Sequence, residues 1–254
     1  MILIIAEKPS LARNIASSIG GMKKNGAYFE NEKYLVTWAF GHLFSLADVE
    51  HYLPQEKRTR FWSIENLPCF PEKFDFELKK DKNKQTDSGI MRQFETIKAL
   101  CLRSDVDTIV NAGDSDREGE IIIRTCVEKT GVSQKSLKRL WMPDQTSETI
   151  LGGLGSLRDE AEYDNLAREG YARTFVDWLY GVNLTRYASL KTGTLMRVGR
   201  VIVPIVKAVY DRDMEIRHFV PDIYYAVVSK TGENGEIELT SKKKFSKNEL
   251  AKAQ

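Results

Sequence analysis

In the stretch Asp114-Ser115-Asp116-Arg117-Glu118-Gly119-Glu120, carboxylates recur at alternate positions directly behind the turn residue Gly113. In extended backbone, side chains two apart point the same way, so Asp114 and Asp116 reach one point in space. Glu118 then falls in the first turn of a helix expected over Arg117 to Lys129, whose Ile121, Ile122 and Val127 supply a buried stripe. Carboxylates this close repel one another and hold protons unless a cation sits among them. Mg2+ meets that need: it takes oxygen ligands, keeps several waters and commonly bridges protein carboxylates to phosphate oxygens. A single Asp here would need no more explanation than the preference of acidic residues for the start of a helix. The whole Asp-x-Asp-x-Glu set behind a strand points further, to a bound cation.

Two apolar runs must position this chemistry. Val106 to Ala112 reads as a strand emptying into the acidic loop, and Met1 to Ala6 as a strand buried on both faces, ending at Glu7-Lys8-Pro9-Ser10. If the two strands are neighbours, Glu7 becomes a fourth carboxylate of the cluster, at the strand ends where open α/β sheets collect ligands. A helix over Ser10 to Ile19 then turns its N-terminus and Lys8 toward the same pocket, where a phosphate is met by a point charge and a helix end. Ala27 to Phe29 and Lys33 to Ala39 read as a hairpin, Gly89 to Leu102 as a helix and Leu137 to Met142 as a last short strand of this region. Strands alternating with helices imply an α/β domain with a mostly parallel sheet over residues 1–146. Residues 147–218 read as helical. Residues 219–254 revert to strand, with Asp222 to Val228 and Glu236 to Thr240 flanking a Gly232-Glu233-Asn234-Gly235 turn, as the start of a β-rich domain.

Composition sets the bounds. With 254 residues and a net charge of +2, the chain has room for a sizeable core and no global basic field, so any nucleic-acid site rests on local clustering. Cys69, Cys101 and Cys126 form no Cys-x-x-Cys pair, which offers neither a zinc site nor a disulfide framework and suits a reducing cytoplasm. The opening apolar run is too short to span a membrane. Between Val49 and Lys84, prolines, aromatics and the run Lys79-Lys80-Asp81-Lys82-Asn83-Lys84 read as a solvated irregular segment, although aromatics with lysines also suit single strands.

Glu7-Lys8-Pro9-Ser10 after a first strand, together with Gly113-Asp114-Ser115-Asp116-Arg117-Glu118-Gly119-Glu120, resembles the TOPRIM module of type IA DNA topoisomerases, in their bacterial topoisomerase III branch. The resemblance implies a Rossmann-like TOPRIM domain in which Glu7, Asp114, Asp116 and Glu118 hold Mg2+, while Lys8 and Arg117 stabilise charge at the scissile phosphate. Glu7 has a second possible role, proton transfer to the leaving 3'-oxygen, and the residues alone do not separate the two. The triplet Gly41-His42-Leu43 matches one that these enzymes carry near the DNA strand, which gives His42 a DNA-binding role.

Further along, Arg173-x-x-x-Asp177-Trp178-Leu179-x-Gly181-x-Asn183-x-Thr185-Arg186 resembles the signature of the helical domain that faces TOPRIM in this branch. On that resemblance Arg173, Thr185 and Arg186 belong to a single-stranded DNA groove, with Arg173 and Arg186 placed for backbone phosphates and Asp177 orienting Arg173 or shaping the groove. Arg197-Val198-Gly199-Arg200-Val201-Ile202-Val203-Pro204 is similar to the family's Ser-x-Gly-Arg-Val-Gln-x-Pro groove segment. It departs at Arg197 and Ile202, where serine and glutamine are usual, leaving Gly199 and Arg200 for phosphate contacts.

The family's nucleophilic tyrosine sits in a Tyr-x-Arg-Thr-Asp-Ser-like segment that none of the ten tyrosines here occupies. The expectation is therefore the N-terminal portion of an ATP-independent topoisomerase, inactive alone, whose partners are single-stranded DNA and the remaining domains of the same polypeptide. Two rivals stand beside it: a TOPRIM nuclease or primase-like enzyme that acts by itself, and a non-catalytic DNA-binding module.

Overall fold

The computed structural model describes residues 1–58, 61–81, 83, 85–232, 237–246 and 249. Contacts divide the chain into two compact units, Met1–Arg200 and Val201–Gln254, so the expected boundaries at 146 and 218 do not coincide with this division.

In the first unit, β1 (Ile2–Ala6), α1 (Pro9–Ile19), β2 (Lys23–Asn25), β3 (Tyr28–Glu30), β4 (Tyr34–Trp38), β5 (Phe44–Leu46) and α2 (Val49–Tyr52) come first. They are followed by β6 (Phe76–Leu78), α3 (Ser88–Cys101), β7 (Thr108–Ala112), α4 (Arg117–Thr130), β8 (Ser136–Arg139), α5 (Ser147–Gly155), β9 (Arg158–Asp159) and α6 (Asp164–Thr192). Seven strands form one sheet in the order β2-β3-β4-β1-β7-β8-β9, while β5 and β6 pair separately. β1 runs parallel to both β4 and β7, and β7 parallel to β8; the remaining neighbours in the sheet are antiparallel.

The central strands are apolar on both faces because helices cover both. Leu3, Ile5, Leu35 and Ile109 pack with Phe94 and Ile97 of α3 and Ile122, Ile123 and Cys126 of α4. Ile4, Ala6, Val36 and Val110, pointing the other way, pack with Leu11 and Ile15 of α1 and Ile150 of α5. Each such buried aliphatic side chain contributes about 1.5–3 kcal/mol. The chain leaves β1 toward β4 but leaves β7 toward β8, so the two connections diverge between adjacent parallel strands. That divergence opens a crevice at their carboxyl ends.

The α/β reading and its mostly parallel sheet hold. One strand is added and two local expectations change. β2, of Lys23-Lys24-Asn25, carries no hydrophobic signal and exists only as an edge paired to β3. The last strand of the 1–146 region, expected over Leu137 to Met142, is the shorter β8, which closes at Arg139; β9, from beyond that region, adds to the sheet by pairing Arg158 with Arg139. Asp222 to Val228 is not a continuous strand.

The second unit begins with α7 (Ile202–Arg217) and ends in the antiparallel pair β10 (Val228–Thr231) and β11 (Ile237–Thr240). In the stretch before β10, Tyr225 forms an isolated bridge to Phe245 and Val227 bonds Ser241, without a continuous ladder. Its large hydrophobics are exposed, so no buried face disciplines their alternation into a ladder. The proposed turn at 233–235 and Glu236, like Lys82 and Lys84 of the basic run, lie outside the described residues.

Candidate metal and nucleic-acid site

Parallel pairing places Ala6 opposite Ala112, so the chains leaving β1 and β7 emerge side by side. The backbone N–H of Asp114 donates to Oε2 of Glu7 at 3.1 Å, which joins the two motifs directly. The Nζ of Lys8 donates to Oδ2 of Asp114 at 2.6 Å. This hydrogen bond raises the Lys8 ammonium above its ordinary pKa against the cost of burial, and the charges of Asp114, Glu7 and Asp116 add to it. Three carboxylates therefore act on one cationic group.

Asp116 has a second task. It is the N-cap of α4, in extended backbone with φ −146° and ψ 177°, and its Oδ1 accepts from the N–H of Gly119 at 2.8 Å. The loop it closes is very tight: a Cβ on Gly113 would lie 2.0 Å from the carbonyl oxygen of Gly119, and one on Gly119 only 2.4 Å from the backbone of Asp114. Both positions require glycine because backbone meets backbone there.

Glu118 is engaged by the helical region. Its Oε1 lies 3.1 Å from Nη1 of Arg173 on α6, and its Oε2 lies 3.4 Å from Nε2 of His42. His42 reaches it because the Gly41 N–H donates to the carbonyl of Glu7 at 2.9 Å, folding the chain after β4 back over the end of β1. Arg117 pairs with Glu169 of α6.

Among the described residues, no three His, Cys, Asp or Glu side chains are gathered as a ready-made set of metal ligands. The expected quartet is instead distributed among Lys8, backbone N–H groups, Arg173 and His42, since each carboxylate is stabilised by the nearest positive group. The donors nevertheless fit Mg2+ in kind. It binds through one or two carboxylates while retaining water, and Glu7, Asp114 and Asp116 already converge on the charge of Lys8.

Beyond the acidic loop, α6 carries the remaining expected residues. Asp177 holds Arg200 (Oδ2 to Nη2, 3.0 Å) more closely than Arg173 (Oδ2 to Nε, 3.6 Å). The Arg200 hydrogen bond is the main reason the Asp177 carboxyl sits below the ordinary carboxylate range. Oγ1 of Thr185 accepts from the Val198 N–H at 2.9 Å and holds the 197–200 segment against the helix, with Gly199 beside it. Arg197 is exposed and has no ion pair among the described residues; it lines a cavity of about 560 Å3 with Trp62, Asp177, Thr185 and Arg186. Ile202 is the exposed first residue of α7, in the second unit.

Arg186 departs from its expected role. Its side chain is buried, its Nη1 and Nη2 donate to the two oxygens of Glu50 at 2.7 and 2.9 Å, and its guanidinium lies 5.1 Å from the Trp62 ring centre. It is a strut between α6 and α2 rather than a free phosphate ligand, because a bidentate carboxylate already satisfies the fork.

Sequence reasoning missed two structural anchors. Asn183 accepts from the Cys69 N–H at 2.7 Å and donates to the Cys69 carbonyl at 3.0 Å, pinning the proline-rich segment to α6. Arg139 is wholly buried beneath the acidic loop. Asn183 was at least visible as a polar residue inside the Arg173–Arg186 pattern, whereas Arg139 stood in a strand with no motif around it.

A family model described as the Toprim domain matches residues 2–141, and one described as DNA topoisomerase matches residues 161–254. Among curated proteins, the chain is 38% identical over 238 residues to "DNA topoisomerase 3" of Bacillus thuringiensis strain Al Hakam, covering 94% of this chain and 31% of that protein. It is 36% identical over 247 residues to "DNA topoisomerase 3" of Staphylococcus aureus strain MRSA252, covering 97% of this chain and 33% of that protein. The chain thus spans about a third of the length of the curated relatives it matches. No helix among the described residues is long and apolar enough to cross a membrane. The Toprim match spans more than half of the chain and contains both the β1–β7 crevice and the acidic loop, so the chain belongs to the Toprim family, with a DNA topoisomerase segment behind it.

Proposed function

We propose that this chain is the N-terminal part of an ATP-independent type IA DNA topoisomerase, supplying its acidic Mg2+ site and part of its single-stranded DNA groove. The observation that carries this reading is the contact of Glu118 with Arg173, which joins the acidic loop to the helix bearing the groove residues. A nuclease or primase-like Toprim enzyme has no need of that coupling.

In this reading Glu7, Asp114 and Asp116 would hold the cation, and Glu118 would be a further ligand in place of its contacts with His42 and Arg173. Bound Mg2+ neutralises phosphate charge and helps seat the strand for religation. Lys8, already positioned at Asp114, presents an ammonium to the scissile phosphate. Alternatively, Glu7, held by the Asp114 N–H, passes a proton to the leaving 3'-oxygen in place of holding the cation. Arg173 and Arg197 grip the backbone, while Asp177 holds Arg200 and Thr185 holds Val198, next to Gly199, along the same wall. Arg117, on release from Glu169, adds a second positive group. The tyrosine that would attack phosphorus lies outside these residues, and the setting is cytoplasmic.

Relaxation of a supercoiled plasmid with Mg2+ and no ATP tests this, using the full-length gene product, its Asp114→Ala variant and the 254-residue chain. Relaxation by the full-length protein alone supports the reading. Nicking or degradation by the 254-residue chain would replace it with the nuclease.

A further inference from the structure

Beneath the acidic loop lies a set of buried charges that the proposed reaction does not use. Arg139, at the end of β8, has no exposed side-chain surface, and neither has Glu120, the last carboxylate of the acidic motif. Their Nε and Oε2 atoms are 2.8 Å apart. The two Nη atoms of Arg139 donate to four carbonyl oxygens: Asn111 at 3.1 Å, Gly113 at 3.0 Å, Leu140 at 3.0 Å and Asp114 at 2.8 Å. Three of these carbonyls belong to the end of β7 and the first two residues of the loop.

Glu120 is held from the other side by Nε of Arg124 at 3.0 Å and by the Asn111 amide at 3.3 Å. Above the guanidinium, the rings of Trp141 and Tyr163 stack 5.3 Å apart, each within 6 Å of it. A buried ion pair is weak evidence for stability, since desolvation offsets its attraction. Its value here is directional. A guanidinium presents its N–H groups in one rigid plane, and here the two Nη atoms tie together the end of β7, the first two residues of the loop and the residue after β8. No apolar residue or lysine reproduces that fork.

We propose that Arg139 and Glu120 are positioning residues that set the backbone of the acidic loop, and through it the carboxylates of Asp114 and Asp116. The inference rests on the reading that this loop holds a divalent cation. Arg139 makes no contact with the carboxylates of Asp114 or Asp116 and acts only through the carbonyls of Gly113 and Asp114.

Mn2+ binding to the 254-residue chain, read from the free-ion electron paramagnetic resonance signal, tests the proposal in the wild type and in Arg139→Lys, Arg139→Met and Glu120→Gln. Ile97→Ala, a core truncation in α3 away from the loop, reports what destabilisation alone does. Loss of a group that orients ligands weakens metal affinity by about 10- to 100-fold. Arg139→Lys and Arg139→Met are expected in that range, Glu120→Gln at its lower end, and Ile97→Ala at wild-type affinity.

Backbone amide resonances of Gly113 to Gly119, compared between wild type and Arg139→Lys without metal, give a second readout, with shifts expected there and not in α1 or α3. Wild-type Mn2+ affinity in Arg139→Lys, or an equal loss in Ile97→Ala, overturns the proposal. If the wild type binds no Mn2+, the cation reading fails, and the amide shifts alone decide whether Arg139 positions the loop: unshifted resonances overturn that as well.

Discussion

Arg173 of α6 places its Nη1 3.1 Å from Oε1 of Glu118 in the first turn of α4, so the helical region grips the acidic motif by one of its own carboxylates. His42, on the opposite oxygen of Glu118, arrives from the other arm of the sheet. One carboxylate thereby gathers residues separated by 131 positions in the chain. In the proposed function, a phosphate entering here would meet Arg173 and His42 while Glu118 would turn toward a cation.

Exchange of Arg173 from Glu118 to phosphate removes one ion contact from the DNA complex when Arg173 is truncated. Arg173→Ala is expected to weaken oligonucleotide binding and to lower the slope of log affinity against log salt by about 0.7, the contribution of one single-strand phosphate. Fluorescence anisotropy at several salt concentrations measures it; an unchanged slope would place Arg173 outside the interface.

Arg186, by contrast, is buried against Glu50 and is expected to leave the salt slope unchanged. Arg186→Met instead lowers stability by about 2 kcal/mol, less than the roughly 3–5 kcal/mol of a fully buried pair, because Glu50 retains water contact. Urea unfolding distinguishes the two arginines.

Asp177 has a folded pKa below its unfolded value because Arg200 favours the charged carboxylate. Its contribution is therefore present above the ordinary carboxylate range and is lost as pH falls through the depressed folded value. In Arg200→Met the Asp177 carboxyl, followed by carbon-13 resonance, is expected to titrate at higher pH than in the wild type. An unmoved midpoint would mean that Arg200 does not hold it in solution.

Gly119→Ala introduces a Cβ 2.4 Å from the backbone of Asp114, and neither strand of that contact has a flexible end to yield. Overpacking of this kind costs about 1–3 kcal/mol. Thermal unfolding checks the cost, and Mn2+ affinity is expected to fall with it, since the loop must open to admit the methyl group.

Asn183→Ala removes both side-chain hydrogen bonds to Cys69 and leaves a buried N–H and carbonyl without partners, at a cost of about 1–3 kcal/mol. The irregular segment between α2 and β6 then loses its tie to α6. Limited proteolysis is expected to cut it faster in the variant, and equal rates would show that the aromatic contacts of Phe74 with Phe175 and Trp178 suffice.

Much of the site was legible in the residue order because its chemistry is local. Glu7 and Asp114 each end an apolar run long enough to be a buried strand, and the alternate spacing of Asp114, Asp116 and Glu118 follows from backbone geometry. The sheet was legible for the same reason: strands covered on both faces must be largely apolar, as β1 is throughout and β7 is apart from Thr108 and Asn111. The four carboxylates of the candidate site were legible as residue types but not as an arrangement, because which neutral donor or cation answers each carboxylate depends on stretches far apart in sequence. Lys8 turning to Asp114, Arg173 to Glu118 and Arg186 to Glu50 are choices between several available charges, and only packing makes them.

The sequence by itself determined the central strands β1 and β7, the acidic loop and its family, since each is written within some ten consecutive residues. Tertiary structure alone decided that β1 and β7 are neighbours and that Arg139 lies under the loop. Sheet order and the burial of a charge are set by the free energy of the assembled core, to which residues far apart in the chain contribute together.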